Sequence, residues 1–183
     1  YSERDVKSNQ IDYLNSFRSW MASMNISDNY FFLDNSMENI SDIVNGELLD
    51  FCWDLQDFGA VRPFVHLAKQ QYSPDPDKGT TGLVRHIFNT EGFLKHDYLI
   101  LILGRRPCTD QYVNSINNWL KDGQTNCLYF SRDDSSLSDE VFVVRKSVYP
   151  IVTKTLSHWT GDNYSELLEV IVRTCNGSKI VLL

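Results

Sequence analysis

The chain has 183 residues, of which 42% are hydrophobic and 13% aromatic, and a formal charge of −7. That length and composition describe one globular domain that buries a core without help from a disulfide or a metal, and they exclude a disordered chain. The negative charge disfavours bulk binding to nucleic acid or an anionic membrane, and no apolar run approaches the ~20 residues that span a bilayer.

Residues 9–24 predict an amphipathic helix, with Ile11, Leu14, Phe17 and Met21 on one broad face and Tyr13, Trp20 and Met24 beside it. Tyr30 to Leu33 predicts a short strand covered on both faces. A second helix is expected over 39–58, where Ile40, Ile43, Val44, Leu48, Cys52, Leu55 and Phe58 keep helical spacing and Gly59 stands at the stop. Val61 to Ala68 predicts a strand, and Ser73 to Gly79 reads as a loop. Thr81 then caps a third helix carrying Leu83, Val84, Ile87 and Phe88.

Tyr98 to Leu103 is the strongest strand signal and is expected at the centre of the sheet. Thr109 to Lys121 predicts a helix with Tyr112, Val113, Ile116, Trp119 and Leu120 inward, ended by Asp122-Gly123. Strands are expected at Cys127 to Phe130 and Val141 to Val144, and a helix from Val148 to Trp159 with Pro150 in its first turn. Two apolar runs, Leu168 to Cys175 and Lys179 to Leu183, flank Asn176-Gly177, and that pattern predicts a C-terminal β-hairpin.

The expected fold is therefore α/β. It is a doubly wound, mostly parallel sheet flanked by helices, with an antiparallel C-terminal hairpin. One domain is expected, its core at 28–183 and an N-terminal helical extension at 1–27. Starting at Tyr1, the chain reads as a processed product or part of a longer protein. In such folds ligands bind beyond the carboxyl ends of the strands. That edge gathers Asp34 to Glu38, Thr80 and Thr81, Gly104 to Thr109, and Arg132 to Ser136.

Asp34, Ser36 and Glu38 form a small acid-hydroxyl loop after an apolar strand. Asp34, Ser36 and Thr80 or Thr81 offer oxygen ligands to a hard cation such as Mg²⁺ or Mn²⁺, with water completing the shell. The same loop also serves as a turn and helix cap. Arg105 and Arg106 are placed to receive an acidic partner. Cys52, Cys108, Cys127 and Cys175 lack C-x-x-C spacing and read as buried free thiols. His66, His86, His96 and His158 share no ligand spacing, and there is neither a P-loop nor a dinucleotide fingerprint. Four glycosylation sequons, at Asn25, Asn39, Asn163 and Asn176, pull slightly toward a secreted protein. The reading nevertheless leans intracellular.

The order of Phe31 to Ser36, Lys78 to Gly82 and Leu99 to Gly104, followed by a helix and the strand at Cys127, resembles a von Willebrand factor A-type domain over residues 28–132. Such domains follow their first strand with an Asp-x-Ser-x-Ser loop, and their later loops complete a divalent-ion site that a partner's carboxylate closes. Here Glu38 stands for the last Ser, and Leu103 for the acid before Gly104. The resemblance implies a non-catalytic protein-binding module with a degenerate metal loop. Its partner is expected to be another protein or another region of the parent chain. The alternatives are a small hydrolase using a metal at Asp34 and Glu38, or a structural subunit that buries its apolar faces in a complex.

Overall fold

The computed structural model describes residues 76–102, 107–132, 141–161 and 163–182, positions 73 and 75, the strands at 31–34 and 64–67, and nine positions between 12 and 24. The chain divides into two compact units, residues 1–72 with 105–110 and residues 73–104 with 111–183. In the first unit the described positions from Asp12 to Ser23 are helical, as the apolar spacing predicts, and Trp20 is buried. Strand β1 (Phe31–Asp34) pairs in parallel with β2 (Phe64–Leu67), with Asp34 opposite Leu67. The helix expected over 39–58 lies outside the described residues.

The second unit runs α1 (Pro76–Phe88), α2 (Glu91–Leu94), β3 (Tyr98–Ile102), α3 (Asp110–Asp122), β4 (Cys127–Arg132), β5 (Val141–Arg145), α4 (Tyr149–His158), α5 (Tyr164–Thr174) and β6 (Ser178–Leu182). Helix α1 starts earlier than the loop-like Pro-Asp-Pro-Asp sequence predicts. Asp75 is its N-cap, with Oδ1 accepting from the Asp77 and Lys78 N–H groups at 3.1 and 3.5 Å. Pro76 fits the first turn, where its missing N–H has no intrahelical partner to lose. Asp75 therefore takes the capping role expected of Thr81.

The four-stranded sheet has the order β3-β5-β4-β6. β5 is antiparallel to both β3 and β4, while β4 and β6 are parallel. The expectation of a mostly parallel, doubly wound sheet is corrected here, because two of these three pairings are antiparallel. The reason is the short connection at 133–140. It turns the chain straight back beside β4, whereas a parallel return needs a longer crossover. What stands is an α/β architecture with an open mixed sheet flanked by helices.

Burial explains the strand order. Cys127 to Phe130 and Val141 to Val144 are buried at every position, so β4 and β5 are covered on both faces. β3 alternates between buried and partly exposed positions and forms an edge of this sheet, not its centre. Helix α3 packs onto β4 through an edge-on contact of Tyr112 with Phe130, 5.0 Å between ring centroids. Gly123, at φ +64°, ends α3 in the left-handed conformation that the Asp-Gly pair predicts.

Two arginines fix helix ends. Arg145, the last residue of β5, donates from Nε to the Thr125 carbonyl at 3.3 Å and from Nη2 to the Trp119 carbonyl in the last turn of α3. Its guanidinium also lies 4.1 Å from the centre of the Trp119 ring. Arg85 of α1 donates to the Leu156 and Trp159 carbonyls at 3.2 and 2.6 Å, at the end of α4. The last carbonyls of a helix have no intrahelical donor, so a forked cation satisfies them and complements the dipole at once.

The C-terminal hairpin is corrected as well. Leu167, Leu168, Ile171 and Val172 are buried on one side of α5, and the Asn163 side chain caps that helix by accepting from the Glu166 N–H at 3.0 Å. Asn176, at φ +54°, takes the left-handed position just past the helix end. The Gly177 N–H then donates to the Val172 carbonyl at 2.7 Å. This is a Schellman stop. The Asn-Gly pair supplies a positive φ to a helix end instead of a hairpin turn, and β6 leaves it parallel to β4.

Two mutational outcomes follow. A Cβ at Gly177 would stand 2.9 Å from the Cys127 carbonyl oxygen and against that residue's sulfur. Gly177→Ala should therefore destabilise by about 1–3 kcal/mol in urea unfolding, while Asn176→Gly should be neutral or stabilising. Arg145→Lys should cost about 1.5–3 kcal/mol in the same assay, because an ammonium cannot span both carbonyls and the ring.

Candidate functional site

Asp34 is the last residue of β1, at the carboxyl end of the parallel pair in the first unit. Ser36, Glu38, Arg105 and Arg106 lie outside the described residues. Thr80 and Thr81 belong to the second unit and sit inside α1, not in a turn before a helix. Consecutive helical residues point about 100° apart. Thr80 is half-buried, and Thr81 is only 3% exposed. Among the described residues no three His, Cys, Asp or Glu side chains cluster as a metal site.

In the second unit β3, β4 and β6 run in one direction, since β3 and β4 both oppose β5 and β6 follows β4. Their carboxyl ends, at Ile102, Arg132 and Leu182, therefore gather at one edge, where β5 begins at Val141. Helix α3 is the crossover from β3 to β4, and β5 occupies the place between those strands. Two large apolar side chains near this edge are exposed, Ile102 at 36% and Val181 at 40%. Sequence reasoning did place Arg132 at a strand-end edge.

A second concavity was not foreseen. It is an open depression along α4 of about 650 Å³. Phe88, Leu94, Tyr149 and Pro150 line it with apolar surface, and Lys146 and Lys154 bring positive charge. Tyr149 is buried, stacks edge-on against Phe88 at 5.7 Å and donates its hydroxyl proton to the His96 carbonyl at 3.2 Å. Burial, then the charge of Asp97, pushes the Tyr149 phenol well above its ordinary range, so it stays protonated. Lys146 Nζ donates to the Lys95 carbonyl at 2.9 Å. No spacing rule brings Phe88 to Lys146 and Lys154, because the helix that carries it meets theirs only in the fold.

Cys108, Cys127 and Cys175, the three described cysteines, are free thiols, and of these Cys127 and Cys175 are buried. The Cys108 N–H donates to Ser19 Oγ at 2.6 Å. Burial raises the Cys108 thiol pKa above its usual range, and Asp110 adds to the rise against a hydrogen bond with Ser23. Burial thus disfavours the Cys108 thiolate. No described helix is long and apolar enough to cross a membrane.

No family model matches the chain, and no curated protein matches it. Among solved structures it is similar to a "putative nucleotide-diphospho-sugar transferase" from Desulfovibrio desulfuricans G20, with a TM-score of 0.49 and 13% identity. The match covers 94% of this chain and 66% of that one, so the chain spans less than two thirds of the neighbour's length. Figures of this size transfer neither substrate nor residue roles. The von Willebrand A-like reading is nonetheless corrected. The reversed strand β5 interrupts the parallel sheet which that family implies. The non-catalytic binding module was inferred from the same resemblance and falls with it.

One electrostatic consequence is open to measurement. His96 has its pKa lowered by burial first, and by Lys95 and Lys146 against the opposing pull of Asp97. A histidine harder to protonate in the folded state than in the unfolded one stabilises the fold above the ordinary imidazole pKa of about 6.5, and that stability is lost as pH falls toward its lowered folded value. The melting temperature should therefore drop as pH falls below about 6.5, and His96→Gln should flatten that part of the profile.

Proposed function

We propose that this chain is the ligand-binding α/β portion of an enzyme, and that its substrate is a phosphate-bearing small molecule held at the carboxyl ends of β3 and β4. The observation that supports this reading is the crossover β3–α3–β4 around the reversed strand β5. A break in strand order opens a crevice between the loops that leave the strands, and α/β proteins place ligands in such crevices. Arg132 ends β4 there, and an arginine at a strand end suits the bidentate capture of phosphate. A small ligand fits the overall charge of −7 better than an extended polyanion does.

The finer fold in this proposal is Rossmann-like, of the glycosyltransferase type. The substrate to try first is a nucleoside-diphosphate sugar, the class of compound named for the D. desulfuricans neighbour. The first unit carries its own proposed contacts. Asp34, at the end of β1, would hold Mg²⁺ or Mn²⁺ with Ser36 and Glu38, and Arg105 and Arg106 would meet anionic groups. Thr80 and Thr81 are left out of that ligand set.

Thermal unfolding of the purified chain with uridine- and guanosine-diphosphate sugars, with and without Mg²⁺ or Mn²⁺, tests the proposal. A ligand at about a hundred times its Kd should add about 2.7 kcal/mol and raise Tm. Arg132→Glu should abolish the rise, and Asp34→Ala should separately abolish any rise that Mg²⁺ or Mn²⁺ gives without the sugar nucleotide. Absence of any shift at millimolar ligand, or a shift indifferent to Arg132→Glu, would overturn the assignment.

A further inference from the structure

We infer that Cys127 and Cys175 form a redox-active dithiol, a modification site at which a peroxide closes a disulfide between the start of β4 and the end of α5. The two residues stand far apart in sequence, and the fold brings them together at one corner. Both are buried, Cys127 fully and Cys175 at 2% exposure. Their sulfurs share a hydrogen bond. Three further contacts hold the backbones at this corner. Asn126 Nδ2 donates to the Cys175 carbonyl at 2.9 Å, and the Asn126 N–H donates to the Asn176 carbonyl at 3.4 Å. Gly177 lies so close to Cys127 that a side chain there would strike its sulfur.

The shared hydrogen bond couples the two thiols, and one serves as the attacking sulfur while the other resolves. Cys108, by contrast, is a lone thiol directed at the Thr109 carbonyl.

The chemistry balances. One of the two sulfurs, as its thiolate, attacks one peroxide oxygen. An S–O bond forms, the O–O bond breaks, and the hydroxide released takes up a proton to leave as water. The other thiol of the pair, deprotonated in the next step, attacks the sulfur of that sulfenic acid. The S–S bond forms, the S–O bond breaks, and a second water departs. Two thiols and one hydrogen peroxide thus give one disulfide and two waters, with two electrons passing from sulfur to oxygen.

The test uses the full chain, reduced and then freed of reductant, with hydrogen peroxide added in stoichiometric steps. The expected results are a mass loss of about 2 Da, titratable thiols falling from four to two, and a linked Cys127–Cys175 peptide under non-reducing digestion. The melting temperature should rise on oxidation and return with reductant. Cys108→Ser should leave all of this unchanged. Cys127→Ser and Cys175→Ser should each abolish the cross-link, and at least one of the two should stop the reaction at a sulfenic acid that a dimedone probe traps. The inference is overturned if the wild-type chain gives no Cys127–Cys175 peptide while its thiols gain oxygen, or if the cross-link joins Cys52 or Cys108 instead. The wild-type peptide map decides the matter even where the serine variant folds poorly.

Discussion

Every side chain of Cys127 to Phe130 and of Val141 to Val144 is withdrawn from water, and this double-sided burial governs the second unit. A strand that is apolar on both faces needs a layer above it and a layer below it. Neighbouring β4 and β5 share that need, and they are made adjacent and antiparallel by the short connection between them. The strands that tolerate water on one side, β3 and β6, are left to the edges. The amphipathic helices then supply the cover. Tyr112 of α3 meets Phe130, and α5 buries Leu167, Leu168, Ile171 and Val172. Burial of each such side chain contributes about 1.5–3 kcal/mol, so this cover outweighs the exposed ion pair between Lys179 and Glu169.

Helix ends set the next constraint. Helices packed against a buried sheet bring their unpaired carbonyls close to the interior, where each needs a donor. Arg145 and Arg85 answer this at the ends of α3 and α4, each reaching from a different element. The long arginine stem packs while its head pairs, so one residue both docks a helix and satisfies its terminus. The Schellman stop after α5 solves the same problem with backbone alone, and it brings Cys175 and Gly177 against Cys127. The redox pair is thus a product of helix termination.

Much of the element list was legible from periodicity. Tyr112, Ile116 and Trp119 keep the 3.6-residue spacing that made α3 plain, and the unbroken apolar runs of β3 and β4 announced strands. Two local signals misled. Pro-Asp-Pro-Asp carries both turn chemistry and helix-start chemistry, and the carboxylate of Asp75 decides between them by meeting two helical N–H groups. Asn-Gly serves a hairpin and a helix stop equally well, because both require only a residue at positive φ. The buried spacing Leu167, Leu168, Ile171 and Val172 tips it toward the helix. Of the candidate site, Asp34 was correctly seen at a strand end, while Thr80 and Thr81 moved into a helix once its start shifted back to Pro76.

The sequence by itself determined the α/β class, most element positions and the acidic character of the chain, because these depend on side-chain spacing and composition within short windows. Only the tertiary structure decided the strand order, the reversal of β5, the parallel return of β6 and the meeting of Cys127 with Cys175. Those features depend on which apolar faces find one another across long stretches of chain. A pattern read along the sequence records that a face exists, but not what will cover it.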